Sequence, residues 1–200
     1  MFEWWTYTLS DFLMFSPRTY WRMIELYNRD VWPLHLPLLV AGLAALWLAA
    51  ARRAHAFRWS AFGLSAVWLW VGWAFLWERY AVINWAAQYV AVAFAVQAVL
   101  LLVAGLAHRQ ATAPPLAASQ GMGWLLAIAG LLYPLLALAA GRPGVQAEVF
   151  GMVPEPTALF TLGLLLLAGL PASNAWRFLL FLIPLLCLLL GAATGWTFLN

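Results

Sequence analysis

Glu148 precedes, and Glu155 lies within, the run Phe150-Gly151-Met152-Val153-Pro154-Glu155-Pro156-Thr157, which feeds an apolar stretch from Leu159 onward. Pro154 and Pro156 each force extended backbone on the residue before them, so a helix starting here begins abruptly. About fourteen clearly apolar residues follow, roughly 21 Å of helix, which falls short of the ~30 Å hydrocarbon layer. A short helix whose amino end starts below the surface presents free N–H groups and a positive dipole end, which suits an anion or a substrate. The two carboxylates offer the opposite chemistry, a cation site or a proton relay. A proline-rich turn into a thin helix is the reading that needs no ligand. Glu148, Pro154, Glu155, Pro156 and Thr157 therefore form one set of binding candidates. Glu78, Arg79 and Asn84, at the junction of two apolar segments, form the second. There Glu78 and Arg79 read as a self-paired boundary marker, or as part of one polar site if they face the same cavity as Glu148 and Glu155.

Other chemistries find too few residues. The histidines His35, His55 and His108 are too dispersed to stack as axial haem ligands, and Cys187 has no second thiolate near it. No metal site and no cofactor is expected on these grounds. There is no phosphate-cradling glycine loop, no H-E-x-x-H and no nucleophile elbow, so the chain reads as a non-enzyme. A weaker reading makes Glu78, Glu148 or Glu155 a general acid or base. Trp59, Phe62, Trp70, Trp73 and Trp77 share one helical face, fit either for packing and lipid contact or for a quinone or other flat ligand.

The elements that must position these groups are membrane helices. Hydrophobic residues make up 66% of the chain and charged ones 8%, against roughly 45–50% and 25% in soluble domains. Such a surface suits lipid, and it excludes nucleic acid as a partner despite the net charge of +3. Residues 33–51, 59–77, 85–107, 122–140, 157–170 and 176–198 are nearly uncharged, which predicts an all-α polytopic bundle of about six transmembrane helices. Trp59, Trp77, Trp85, Trp124, Trp176 and Trp196 fall near segment ends, as an interfacial belt places them. Pro134 and Pro184 should kink the fourth and sixth segments and free the carbonyls of Gly130 and Leu180. Gln88 and Gln97 read as interhelical hydrogen-bonding groups.

Two regions follow, residues 1–32 as an amphipathic interfacial segment and 33–200 as the six-helix domain. Ser16-Pro17 is a helix start, and Tyr20, Ile24, Tyr27 and Val31 make an apolar stripe. Arg18, Arg22, Glu25 and Arg29 lie on the opposite face, as candidates for docking a partner. The helix either lies along the membrane surface or packs over the bundle ends. All ten basic residues are arginine, and the clustered Arg52, Arg53 and Arg58 favour a cytoplasmic loop there, with both termini outside.

Several of these residues carry a resemblance. Tyr27-Asn28, Val31-Trp32-Pro33, Trp70-x-Gly72, Ile83-Asn84, Tyr133-Pro134 and above all Pro154-x-Pro156-Thr157-x-x-Phe160-Thr161-Leu162-Gly163 are similar to a bacterial family of multi-pass membrane proteins known only as a domain of unknown function. The resemblance spans residues 20 to 200. Members often carry Tyr-His-Trp where this chain has Phe75-Leu76-Trp77, so no histidine chemistry is carried over. It implies the membrane bundle and no activity. The leading expectation is a non-enzymatic accessory or scaffold subunit of an inner-membrane complex, partnered by lipid, other membrane subunits or further copies of itself. A small transporter or channel, with its site between the short fifth helix and the outer acids, is the alternative.

Overall fold

The structure, a computed structural model, describes residues 15–52, 55–107, 117–168 and 174–199. Among them there are eight α-helices and no strand: α1 Pro17–Asp30, α2 His35–Ala50, α3 Ala56–Trp70, α4 Ala87–Ala107, α5 Ala117–Leu132, α6 Leu135–Ala139, α7 Pro154–Leu167 and α8 Asn174–Leu199. A π-helical segment, Val71–Trp77, continues α3, and single 3-10 turns lie at Tyr80–Val82 and Gly144–Gln146. Arg53 and Arg109, two of the arginines expected in inner loops, lie outside the described residues.

The all-helical expectation holds, and the count of six spans does not. Three helices are long and apolar enough to cross a membrane: Ala56–Val82, Ala87–Ala107 and Ala175–Phe198. A fourth is reached only if α1 and α2, bent by 89° at their junction, are taken as one broken span. The shortfall has local causes. Pro33 cannot donate a backbone hydrogen bond and sets α2 off from α1. Pro134 likewise divides the fourth apolar segment into α5, of 16 residues, and the five-residue α6. Helix α7, with 14 residues, is about 21 Å long.

Helix α7 packs deep in the bundle, and α5 lies along it with Met122, Leu125, Ile128 and Leu132 exposed on its other side. A side chain built at Gly163 would stand 2.5 Å from the Ala127 nitrogen and 2.6 Å from the Gly123 carbonyl. At Gly130 it would stand 2.7 Å from the Pro156 carbonyl. Small residues on both helices thus let their backbones touch, the approach that dispersion rewards where no water can be expelled. Helix α3 pairs with α4, where Ser65 Oγ donates to the Ala98 carbonyl at 2.8 Å. Trp68, fully buried, stacks on Phe94 with ring centroids 4.2 Å apart.

Pro184 sits inside α8 and leaves the Leu180 carbonyl without its helical donor. Gln97 of α4 supplies one, its Nε2 donating to that carbonyl at 3.1 Å. The second glutamine, Gln88, is exposed. On the outward face of α3 and its π extension, Trp59, Trp73 and Trp77 are exposed, while Phe62 and Trp70 are half-buried.

Candidate functional site

Helix α1 organises the site. Ser16 caps it, its Oγ accepting from the Thr19 N–H at 3.2 Å, and Pro17 occupies the first turn. The apolar stripe is covered by the protein itself: Tyr20, Ile24 and Tyr27 are buried. Tyr27 Oη donates to Met152 Sδ at 3.7 Å. Asn28 Nδ2 donates to the carbonyls of Val145 and Ala147 at 2.9 and 2.8 Å, while its Oδ1 meets His35 Nε2 at 3.1 Å. These bonds fasten residues 145–153 beneath α1, and Val149, Phe150, Met152 and Val153 are buried as a result. Gly151 adopts a left-handed φ of +77° in the turn, a conformation that costs glycine little.

The turn delivers two acids to different settings. Glu148 is buried but partnered. Tyr20 Oη donates to its Oε1 at 3.3 Å, and Arg142 Nη2 lies 3.4 Å from Oε2. The guanidinium of Arg142 also lies 3.5 Å above the Trp21 ring, a cation–π contact that fixes it in place. Burial pushes the Glu148 carboxyl above the ordinary carboxylate range, against the pull of Arg142 and Tyr20.

Glu155 stands in the first turn of α7. Its Oε2 is enclosed, and no donor among the described residues reaches it. A side chain at Gly191 of α8 would stand 2.6 Å from its Cγ and Oε1, so only glycine leaves room for the carboxylate. Glu155 lines a cavity of about 140 Å³ together with Tyr20, Phe75, Tyr80, Asn84, Cys187 and Thr194. Pro154 also lines it, whereas Pro156 and Thr157 turn into the packed interior. Thr157 Oγ1 donates to the Val153 carbonyl at 2.7 Å and accepts the Gly151 N–H at 3.0 Å, so its role is to hold the turn.

The junction candidates divide. Asn84 faces the Glu155 cavity, with its Oδ1 accepting the Ala86 N–H at 3.1 Å. Glu78 and Arg79 border a separate, open groove of about 1140 Å³ with Arg18, Arg22 and Glu25. The expected Glu78–Arg79 pairing is replaced: Arg79 Nη2 reaches Asp30 Oδ2 of α1 at 2.9 Å, because α1 folds back over the end of the π segment. Glu25 is shared by Arg22 at 2.8 Å and Arg29 at 2.7 Å. The groove is wide and open, and its Arg22, Glu25 and Arg79 are already in ion pairs. The cavity is small, narrower at its mouth than the groove, and lined by one unmatched carboxylate, which makes it the stronger site despite its size. Tyr20, Phe75 and Gly191 were not singled out as site residues from the sequence; Tyr20 had a trace there, as a polar-tipped member of an apolar stripe. Among the described residues no three of His, Cys, Asp and Glu converge as metal ligands.

Residues 18–199 match a family of unknown function, DUF6064, and the chain belongs to that family. No curated protein and no solved structure matches it.

Proposed function

We propose that this DUF6064 chain is a multi-pass protein of the bacterial inner membrane, with both termini outside, that takes up a small cation or a proton at Glu155 as a compact transporter or channel. The observation that carries the reading is Glu155, whose Oε2 is buried with no donor among the described residues and which lines a cavity inside an apolar bundle. Ionisable groups in such surroundings are costly and, where retained, mark ion or proton paths. Helix α7 stops short of a full span, so its amino end and Glu155 lie within the bundle, with Glu148 and Tyr20 toward the α1 side. The test is flux in liposomes reconstituted with the full chain, read with a pH-sensitive dye and with cation-selective electrodes. The expected result is a flux above that of empty vesicles that falls at least tenfold in Glu155→Gln. Vesicles no leakier than empty ones would end the transport reading.

A second reading, a non-enzymatic accessory or scaffold subunit, is favoured by the outer face of α1. There Arg18, Arg22 and Arg29 are exposed beside the open groove. Purification from the native host in mild detergent distinguishes the two. A stoichiometric membrane partner that dissociates on Arg18→Glu/Arg22→Glu, in a protein silent for flux, would put the accessory role first.

A further inference from the structure

We infer that the ligand of the Glu155 cavity is a small organic ammonium ion, an inference that rests on the cation-binding reading above and narrows it. Charge excludes the alternatives first. Of all the residues lining the cavity Glu155 is the one Asp, Glu, Arg or His, and Arg142 is already held by Glu148 and the Trp21 ring. An anion would meet an acid with no compensating cation. A neutral ligand can hydrogen-bond the carboxyl group, but only a cation answers the charge of its ionised form.

The walls then decide between inorganic and organic cations. A hard metal ion asks for roughly six or more oxygen ligands converging on one point. Here one carboxylate, the Thr194 hydroxyl, the Asn84 amide and two tyrosines are dispersed among rings and aliphatic side chains. The rings belong to Tyr20, Phe75 and Tyr80, packed on one another with centroids 5.8 Å apart for Tyr20–Tyr80 and 5.9 Å for Phe75–Tyr80. Aromatic walls with one carboxylate suit a cation whose charge is carried on an apolar body, since ring faces attract the charge and apolar walls replace water around the methyl groups. The volume agrees. At about 140 Å³ the cavity matches the ~150 Å³ that accommodates a benzene-sized guest. Methylammonium and trimethylammonium fit within it, and tetrabutylammonium does not. N–H groups of the guest would donate to the Glu155 carboxylate, which lines the cavity.

The experiment is calorimetric titration and thermal melting of the full chain in lipid nanodiscs. The probes are methylammonium, trimethylammonium, tetrabutylammonium, sodium, potassium and neutral tert-butanol, at constant ionic strength. Methylammonium and trimethylammonium should bind and raise Tm, while the other four do neither. Glu155→Gln should weaken the ammonium ions at least tenfold, and Phe75→Leu about fivefold. The cutoff in ligand size tests the cavity in the unaltered protein, so the inference stays exposed even if a variant fails to fold. Sodium or potassium binding as tightly as the ammonium ions, with dependence on Glu155, overturns the ammonium assignment and leaves the cation reading standing. Ammonium binding that survives in a folded Glu155→Gln protein overturns the site. Absence of Glu155-dependent binding by any cation, together with silent liposomes, overturns both readings.

Discussion

Within seven residues, Glu155 to Thr161, helix α7 treats buried polar groups in two opposite ways. Thr161 Oγ1 donates to the Thr157 carbonyl at 2.7 Å and accepts Trp68 Nε1 at 2.9 Å, so both its donor and its acceptor capacity are used. Thr157 is closed off in the same manner, and beyond it Gly163 lies against the α5 backbone with no room for a methyl group. Two residues before Thr157, Glu155 has an oxygen with no donor and a glycine opposite that keeps space open around it. Polarity in an apolar bundle is therefore not by itself a sign of function. A satisfied polar group holds helices together, and an unsatisfied one beside empty volume marks where something else belongs.

That contrast can be broken most forcefully at the seam. Gly163→Ala drives a methyl into Ala127 and Gly123 backbone atoms, which cannot rotate away, and should cost about 3 kcal/mol. Thermal melting in nanodiscs should show a clear fall in Tm; an unchanged Tm would mean that α5 and α7 are not held as tightly as drawn. Thr161→Val removes the acceptor of a fully buried Trp68 N–H and should cost about 1–3 kcal/mol. Adding Trp68→Phe to that variant should recover part of the loss, because the unpaired donor goes too.

The third effect is smaller and depends on pH. Burial holds the Glu148 carboxyl above its ordinary pKa, so the folded protein binds that proton more tightly than the unfolded chain does. Its contribution to stability is then fully present below the ordinary carboxylate pKa and is lost as pH rises through the raised one. Melting curves across that window should decline with pH, and Glu148→Gln should flatten the decline. A decline equal in the two proteins would assign it to another group. Smallest of all in stability should be Glu155→Gln, which removes a charge without removing a partner: Tm stays level or rises slightly. A large fall in Tm there would place Glu155 among the structural groups, on the same side as the threonines.

Much of the frame was legible beforehand because its causes are local. The Ser16-Pro17 start, the break at Pro134 and the carbonyl freed by Pro184 each follow from one residue's covalent geometry. The buried stripe of Tyr20, Ile24 and Tyr27 follows from helical spacing. Counting spans went wrong because apolar length alone does not separate a helix facing lipid from a short one packed inside the bundle, as α7 is. The site resisted reading for a different reason. Tyr20 and Glu148 are 128 residues apart in sequence, and their meeting depends on how α1 folds over the 145–153 turn. Arg79 has an acid beside it in the chain, yet its partner is Asp30, chosen by the path of α1. Gly191 carries no chemistry of its own, and its part in the site depends on the carboxylate that the fold sets opposite it.

The π segment Val71–Trp77 bears on how that cavity is kept in register. Its wider turn, seen in the Glu78 N–H donating to the Trp73 carbonyl five residues back at 3.0 Å, holds one residue more than an α turn. It acts as slack taken up within the chain, absorbing a residue that an α turn has no room for. Phe75 and Leu76 are buried and line the Glu155 cavity, while Trp73 and Trp77 stay exposed. Tightening Val71–Trp77 into an ordinary α-helix at unchanged length would turn the side chains at its far end by up to about 100° relative to α3. Phe75 would then be drawn from the cavity wall with every residue of the cavity still present in the sequence.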